Sequence, residues 1–327
     1  MTGGYAIECE ELRRVFRSRR LTGQVEEVVA LDSLSLQVRP GEVYGVLGPN
    51  GAGKTTAIRI LSTLLIPTAG SAHVMGHDVV KAAGEVRRRI GLILGGERGL
   101  YERLTGRQNL QYFASLYLMS PRRGAERADA ALEEVGLTHA ADRKVEQYSR
   151  GMRQRLHVAR GLLPDPDVIF MDEPTIGLDP EAAQDFRRLV PELRDRGKTV
   201  LLTTHYMLEA DVLCERIAVI DHGRLVALDT PEGLKRRFGQ GQVTEATLRA
   251  ATPGLADQLR ALRGVAAVES DMEGAAQRVK VYADAGRDIA SGLRNLAGTD
   301  AIQSVVTREP SLEEAYLSLI RESSAGE

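Results

Sequence analysis

The first part of the chain carries three strand-like patterns of apolar and polar residues. They are YAIECEEL (5–12), VALDSLSLQV (29–38) and GEVYGVLG (41–48). The second alternates, as expected for a strand with one buried face, and the third is mostly apolar, as expected for a strand covered on both faces. The Pro40–Gly41 pair between them predicts a turn.

Helical periodicity follows, and strands then return at regular intervals. The clearest helical patterns are TTAIRILSTLL (55–65), NLQYFASLYL (109–118) and ERADAALEEVGL (126–137), the last two within a largely helical stretch at about 100–150. The later strand patterns are DVIFMDE (167–173), TVLLTTH (199–205) and RIAVIDHGRLVALD (216–229), the last a hairpin turning at His222–Gly223. Strands that alternate with helices predict an α/β domain with a mainly parallel sheet.

The pattern changes after Thr230–Pro231, where a short helix leads into a Gly-containing linker. The remaining segments are, in order, strand, helix, strand, strand, helix and strand: VTEATLR, GLADQLRALRG, VAAVES, QRVKVYAD, GRDIASGLRNLAG and AIQSVVTRE. This βαββαβ order predicts a small ferredoxin-like α+β domain. A last helix begins at Ser311, where Glu314 completes a capping-box pattern. We expect a first domain over 1–235 and a regulatory, docking or dimerisation domain over 236–327.

Composition limits the class of protein. At 327 residues and 43% hydrophobic composition, the chain is long enough to form two cores. A formal net charge of −2 gives no bulk attraction to nucleic acid or to an anionic membrane. Near the N-terminus lies a basic cluster of Arg13, Arg14, Arg17, Arg19 and Arg20. This pattern predicts a solvated loop, and a polar surface that binds a partner is the alternative.

Cysteine use and hydropathy indicate where the protein works. Cys9 and Cys214 form no metal-like or redox spacing, which is typical of a reducing cytosol. The N-terminus lacks the apolar segment of a signal peptide, and no apolar run approaches the ~20 residues that span a bilayer. We therefore expect a soluble, intracellular chain.

Residues 48–55, GPNGAGKT, form a phosphate-binding loop between a strand and a helix. Its three glycines let the backbone curl so that several N–H groups point at phosphate oxygens. Lys54 supplies a cation for the β- and γ-phosphates, and the Thr55 hydroxyl is a ligand for Mg²⁺. The motif therefore predicts a bound nucleoside triphosphate with Mg²⁺, which the family resemblance below specifies as ATP.

Two buried strands end in polar side chains at the edge where an α/β sheet binds ligands. Asp172 follows VIFM and is expected to coordinate Mg²⁺; Glu173 comes next and is placed to polarise a water beside the γ-phosphate. His205 ends the strand 199–205 and is expected to contact the γ-phosphate or the attacking water.

The stretch YSRGMRQRL (148–156) begins an Arg-rich amphipathic helix. Ser149 and Gly151 lie at its start, where unpaired N–H groups and the helix dipole favour an anion.

Over about residues 5–235, the order of these motifs resembles the nucleotide-binding domain of ATP-binding cassette (ABC) transporters: P-loop, helical insert, YSRGM, VIFMDEP, GLD, TTH. The resemblance implies a mixed-sheet core with antiparallel β and α-helical subdomains. It also implies a homodimer in which each ATP is shared between the P-loop of one copy and the signature YSRGM of the other. The ATP-binding residues would be Phe16, Gly48, Pro49, Asn50, Gly51, Ala52, Gly53, Lys54, Thr55 and Thr56, and the signature residues Ser149, Arg150, Gly151 and Met152.

The same resemblance makes Glu173 the catalytic base, His205 a switch histidine and Asp179 of GLDP the link between the two sites. Phe16 is the candidate that stacks on adenine, with Tyr5 as the alternative. The chain departs from the family most clearly at Gly95, where a glutamine that contacts Mg²⁺ or its water is usual; Glu97 or a water is a candidate replacement.

One cassette followed by a small α/β domain resembles the ATPase subunits of daunorubicin-resistance exporters, whose membrane half is a separate permease. That resemblance implies multidrug or antibiotic export, at the cytoplasmic face of the membrane through the permease. Two alternatives stay open at this point: a soluble ABC ATPase acting on ribosomes or DNA, and a nucleotide sensor with little turnover.

Overall fold

The computed structural model describes residues 4–19, 25–95, 99–239 and 241–325. Contacts between Cα atoms divide the chain into two units, Met1–Leu228 and Asp229–Glu327. In the described part of the chain, no helix combines the length and the apolar character needed to cross a membrane.

The first unit contains ten strands, seven α-helices and two short 3₁₀ helices, Thr138–Ala140 and Val145–Gln147, among its described residues. The strands are β1 (Ile7–Arg19), β2 (Val25–Val38), β3 (Val43–Leu47), β4 (Ala69–Val74), β5 (His77–Asp78), β6 (Ile90–Leu94), β7 (Val168–Asp172), β8 (Thr199–Thr203), β9 (Arg216–Asp221) and β10 (Arg224–Asp229, whose last residue falls in the second unit). The helices are α1 (Lys54–Leu61), α2 (Ala83–Arg89), α3 (Gly106–Leu116), α4 (Pro121–Glu134), α5 (Arg150–Leu162), α6 (Pro180–Asp195) and α7 (Met207–Leu213).

A four-stranded antiparallel sheet has the order β2-β1-β4-β5. The interpretation of the basic cluster as a loop was wrong, because β1 continues to Arg19. Arg13 lies 3.6 Å from Asp32, and the Arg17 Nε donates to Glu27 at 2.7 Å. Pairing with acidic residues of β2 therefore holds these arginines on a strand; Arg20 lies outside the described residues.

The six-stranded sheet has the order β10-β9-β3-β8-β7-β6, and its central pairs from β9 to β6 are parallel. This confirms the expected parallel α/β sheet. β3 and β8 are buried at every position. The predicted strand 199–205 was too long: β8 ends at Thr203, and His205 lies two residues beyond it.

Helices α3 to α5 each begin at a side-chain cap that the sequence supplies. Thr105 and Gln108 form a capping box on α3, and Ser120 accepts from the Arg123 N–H on α4. Ser149 caps α5 in the same way, by accepting from Met152 N–H at 3.2 Å. These caps satisfy N–H groups that a helix start leaves unpaired.

One apolar core joins the two sheets through α1. Its largest fully buried members include Tyr44 on β3, Phe170 on β7 and Ile58 on α1, packed with Leu12 and Leu34 of the antiparallel sheet. The P-loop connects β3 to α1, so this core fixes both of its ends.

The second unit is an antiparallel sheet with two helices on one face. Its elements are α8 (Pro231–Phe238), β11 (Gln242–Leu248), α9 (Leu255–Arg260), β12 (Val265–Glu273), β13 (Ala276–Ala283), α10 (Ile289–Ala297), β14 (Ile302–Arg308) and α11 (Leu312–Ala325). The strand order is β12-β13-β11-β14. A separate apolar core forms between the sheet and α9 and α10, around Leu248, Leu259, Val281 and Leu293.

The predicted capping box on the last helix is confirmed. Ser311 N–H donates to Glu314 Oε2 at 2.8 Å, and Glu314 N–H donates to Ser311 Oγ at 3.3 Å. Arg308 also donates to both oxygens of Glu314, at 2.7 and 2.8 Å. Burial raises the pKa of Glu314, but the hydrogen bonds from Arg308 and Ser311 outweigh it and bring the pKa down to about 2.

Candidate functional site

The phosphate loop leads directly into α1, whose first residue is Lys54 itself. Gly53 has a φ of 104°, and a Cβ there would lie 2.4 Å from the Ala30 carbonyl oxygen. A Cβ at Gly48 would lie 2.3 Å from the carbonyl oxygen of Ile220. Because neither backbone neighbour can move aside cheaply, these two positions require glycine for the loop to keep its shape.

The loop encloses a cavity of about 160 Å³, lined by Asn50, Gly51, Gly53, Lys54, Thr55, Thr56 and Glu173. Six of the predicted nucleotide ligands therefore share one cavity with the predicted base. Ala52 is buried instead, and its N–H donates to the Pro49 carbonyl at 3.2 Å, closing the turn.

Lys54 folds back over the loop. Its Nζ donates to the carbonyl oxygens of Gly48 at 2.7 Å and Pro49 at 3.0 Å. Burial lowers the pKa of Lys54, and the carboxylates of Glu173 and Asp172 oppose that shift. The ammonium is thus presented to the cavity beside two negative charges.

Asp172, at the carboxyl end of β7, accepts hydrogen bonds from two hydroxyl groups. Thr55 Oγ1 donates to Asp172 Oδ1 at 3.2 Å, and Thr203 Oγ1 donates to the same oxygen at 2.6 Å. Hydroxyl and carboxylate oxygens are the ligand types that Mg²⁺ prefers. No group of three or more His, Cys, Asp and Glu in the described part of the chain would hold a metal by itself. Thr55 and Asp172 together fit a Mg²⁺ ion whose remaining ligands are phosphate oxygens and water, which is how nucleotide sites bind this ion.

Glu173 follows at the sheet edge with a positive φ of 48°, uncommon for a residue other than glycine. Its N–H points at Thr203, with the carbonyl oxygen at 3.0 Å and Oγ1 at 3.1 Å. His205 Nδ1 lies 3.1 Å from Glu173 Oε2. The structure therefore brings together His205, the Asp172–Glu173 pair and the P-loop, from three separate segments of the chain.

The signature residues lie elsewhere. None of Ser149, Arg150, Gly151 and Met152 is among the described residues that line the Lys54 cavity. A Cβ at Gly151 would lie 3.0 Å from the Ala182 Cβ, so the start of α5 packs closely on α6. The start of α6 is capped by Asp179, which accepts from the Ala182 N–H at 2.8 Å.

The adenine candidates are both partly exposed and outside the cavity lining. Phe16 lies on β1 with 38% of its surface exposed, and the Arg14 guanidinium sits 4.7 Å from its ring centroid. Tyr5 is 40% exposed. Gly95 lies just after β6, where its N–H donates to the Asp172 carbonyl at 2.7 Å. Glu97 lies outside the described residues.

Two residues with contacts to this site escaped the sequence interpretation. Thr203 bonds both Asp172 and Glu173, as described above. Gln154 of α5 is buried, and its Nε2 donates to the carbonyl oxygen of Pro174 at 2.6 Å, one residue beyond Glu173. The sequence signal for Thr203 was its place near the end of the strand pattern that follows the one ending at Asp172. No sequence signal indicated the contact of Gln154.

Comparisons with known proteins agree with this geometry. The family description "ABC transporter" matches residues 31–176. The chain is 45% identical over 290 residues to the daunorubicin resistance ATP-binding protein DrrA3 of Streptomyces coeruleorubidus, covering 89% of this chain and 90% of the relative. It is 40% identical to the daunorubicin/doxorubicin resistance ATP-binding protein DrrA of Streptomyces peucetius, covering 96% of this chain and 92% of the relative.

Solved cassettes share the fold of the first unit. CbiO1 from Clostridium perfringens, part of an ABC transporter complex, superposes with a TM-score of 0.62 at 25% identity, over 72% of this chain and 92% of that one. The dimeric ATP-binding cassette MJ0796, bound to ADP and Pi, gives a TM-score of 0.59 at 26% identity, over 68% of this chain and 98% of that one. With its P-loop, acidic strand end and capped signature helix in place, the chain belongs to the ABC transporter family, as one of its ATP-binding and ATP-hydrolysing subunits.

Proposed function

We propose that this subunit hydrolyses ATP between two copies of itself and so drives export of a drug, antibiotic or other small molecule through a separate membrane permease. One observation carries the catalytic part. Glu173 lines the same cavity as Lys54 and the P-loop, while Asp172 lies beside Thr55 at its edge. A base, a cation and oxygen ligands for a metal are the parts that phosphoryl transfer to water needs.

The P-loop binds the triphosphate and orients it. The N–H groups at the start of α1 point along the helix axis, where the dipole favours negative charge. Lys54 neutralises charge on the β- and γ-phosphates. Thr55 and Asp172 would hold Mg²⁺, which supplies charge neutralisation across the phosphates when bound.

Glu173 acts as the general base. Its carboxylate takes a proton from the water that attacks the γ-phosphorus, while His205, 3.1 Å away, orients the carboxylate and donates toward it. The N–H contact to Thr203 fixes the backbone on the other side.

The second copy supplies the opposite face of each nucleotide. Ser149, Gly151 and the N–H groups at the start of α5 form an anion-binding helix start outside the chain's own cavity, so their anion would be the γ-phosphate held by the partner. The dimeric MJ0796 cassette with ADP and Pi supports this arrangement. Hydrolysis then breaks the bond between the β- and γ-phosphoryl groups and releases phosphate, so the charge that bridged the two copies is no longer attached to the nucleotide and the dimer opens.

The relatives support the proposed permease, cargo and location. The two Streptomyces proteins are drug-resistance ATP-binding proteins, which favours a transporter over a ribosome- or DNA-associated ATPase or a sensor. The subunit would bind the cytoplasmic face of the membrane through its permease. We further propose a cassette over 1–235 and a ferredoxin-like regulatory or dimerisation domain over 236–327.

Replacing the base tests this proposal. Glu173→Gln keeps the shape of the side chain but cannot accept the proton, so we expect turnover to fall roughly 10²–10⁴-fold. ATP binding should persist, and the variant with ATP and Mg²⁺ should accumulate as a dimer, measured by light scattering after size-exclusion chromatography. Lys54→Ala should lose nucleotide binding instead.

A matched control removes a carboxylate far from the cavity. Glu126→Gln on α4 removes an exposed ion pair with Arg122, lies outside the cavity lining, and should hydrolyse ATP at the parental rate. Parental turnover in Glu173→Gln would rule out Glu173 as the base, and a variant that stays monomeric with ATP and its permease would rule out the shared nucleotide.

A further inference from the structure

The backbone just after β6 runs close to the segment that carries Asp172 and Glu173. A Cβ added at Gly95 would lie 2.4 Å from the Glu173 carbonyl oxygen and 3.1 Å from that of Asp172. It would also lie 2.9 Å from Ile176 Cγ2. Because the first two neighbours are backbone atoms, no side-chain rotation relieves the overlap.

A backbone hydrogen bond also joins these two segments. Gly95 N–H donates to the Asp172 carbonyl at 2.7 Å, which extends the pairing with β7 one residue past the end of β6. The bare Gly95 backbone therefore lies against one side of the Asp172–Glu173 segment, and Thr203 bonds it from the other.

The contact with Gly95 is made by Glu173, whose backbone is strained. Glu173 has a φ of 48°, a conformation that costs a non-glycine residue free energy and persists only where the surroundings enforce it. The direction of its side chain into the cavity depends on that conformation.

We infer that Gly95 is a positioning residue for Glu173: the absence of a side chain at 95 lets β6 approach closely enough to hold the Glu173 backbone in its catalytic conformation. The inference rests on the proposed role of Glu173 as the base. In this chain, a side chain at 95 would overlap the Glu173 carbonyl before it could contact a ligand, and would so displace the base.

Gly95→Ala measures this directly. To reach ordinary contact distance, the Glu173 carbonyl must move by about 1 Å, and a displacement of that size near reacting atoms costs roughly 10²-fold in rate. We expect kcat to fall about 100-fold, while the Kd for ATP, read by fluorescent-nucleotide titration, stays within about threefold. Adding Gly95→Ala to Glu173→Gln should lower turnover no further.

The control is a glycine within β6 at which an added Cβ would be equally crowded. A Cβ at Gly91 would lie 2.4 Å from the Gly161 carbonyl, away from the cavity. Gly91→Ala should lower Tm but keep kcat per nucleotide-binding site. A second variant, Gly95→Ala with Ile176→Ala, removes the side-chain overlap and keeps the backbone one, so it should fold more readily and still show the low kcat.

The outcomes separate the two claims. If Glu173→Gln abolishes turnover but Gly95→Ala keeps the parental kcat, or Ile176→Ala restores it, the inference about Gly95 is wrong and the function stands. If Glu173→Gln itself turns over normally, both fail.

Discussion

Thr203→Val tests how the Asp172 carboxylate, the proposed Mg²⁺ ligand, is held. Thr203 is fully buried, and valine replaces its hydroxyl with a methyl group of similar size. The substitution removes the hydrogen bond to Asp172 Oδ1, 2.6 Å long, and leaves Asp172 with the 3.2 Å bond from Thr55. The Glu173 N–H keeps a partner, because the Thr203 carbonyl lies 3.0 Å away.

The magnitude follows from the charge on the acceptor. A hydrogen bond to a charged group contributes about 1.5–3 kcal/mol, and loss of a group that orients a metal ligand typically lowers metal affinity 10- to 100-fold. We therefore expect the Mg²⁺ concentration for half-maximal ATPase activity to rise by roughly 10-fold or more. The Kd for ATP without Mg²⁺ should change little, because Lys54 and the P-loop amides are untouched.

The assay is a Mg²⁺ titration of steady-state ATPase activity at saturating ATP. Thr203→Ser restores the hydroxyl and should recover the parental midpoint. Thr204→Val removes the next buried hydroxyl, which bonds Glu209 at 3.1 Å rather than Asp172, and should leave the midpoint unchanged. A parental midpoint in Thr203→Val would show that the Thr203 hydroxyl does not position Asp172 for the proposed metal binding.

Two further predictions concern the signature helix and the second unit. Ser149→Ala removes the cap of α5, so it should lower the free energy of unfolding by about 1 kcal/mol. It should also lower ATPase activity without preventing ATP binding to the P-loop of each copy. Ser120→Ala, which removes the cap of α4, should lower the free energy of unfolding by a similar amount and keep the parental ATPase activity. The pKa of Glu314 falls from 4.5 to about 2 on folding, so its contribution to stability is complete above about pH 4.5 and is lost as the pH drops toward 2. In Glu314→Gln, the Tm measured by calorimetry should therefore fall less between pH 6 and pH 3 than in the parent protein. An equal fall in Tm would show that the ion pair between Glu314 and Arg308 does not contribute to stability.

Much of the site could be predicted from the sequence because each of its motifs consists of neighbouring residues. The P-loop needs eight consecutive residues between a strand and a helix, and Asp172 follows a continuous apolar run. The caps at Ser149 and Ser311 also depend on neighbours within three residues. Strand extent was less readable: Arg13 and Arg17 look like loop residues until Asp32 and Glu27 pair with them across β2.

The sequence alone determined the motifs, their order and the parallel α/β class, since strand and helix periodicities and the P-loop are encoded over a few neighbouring residues. Only the tertiary structure decided what lies beside what: that the Thr203 hydroxyl bonds Asp172, that Gln154 reaches Pro174, and that Gly95 leaves no room between β6 and Glu173. Those contacts join segments far apart in the chain. Their distances depend on how the strands pack around one core, and no local pattern encodes them.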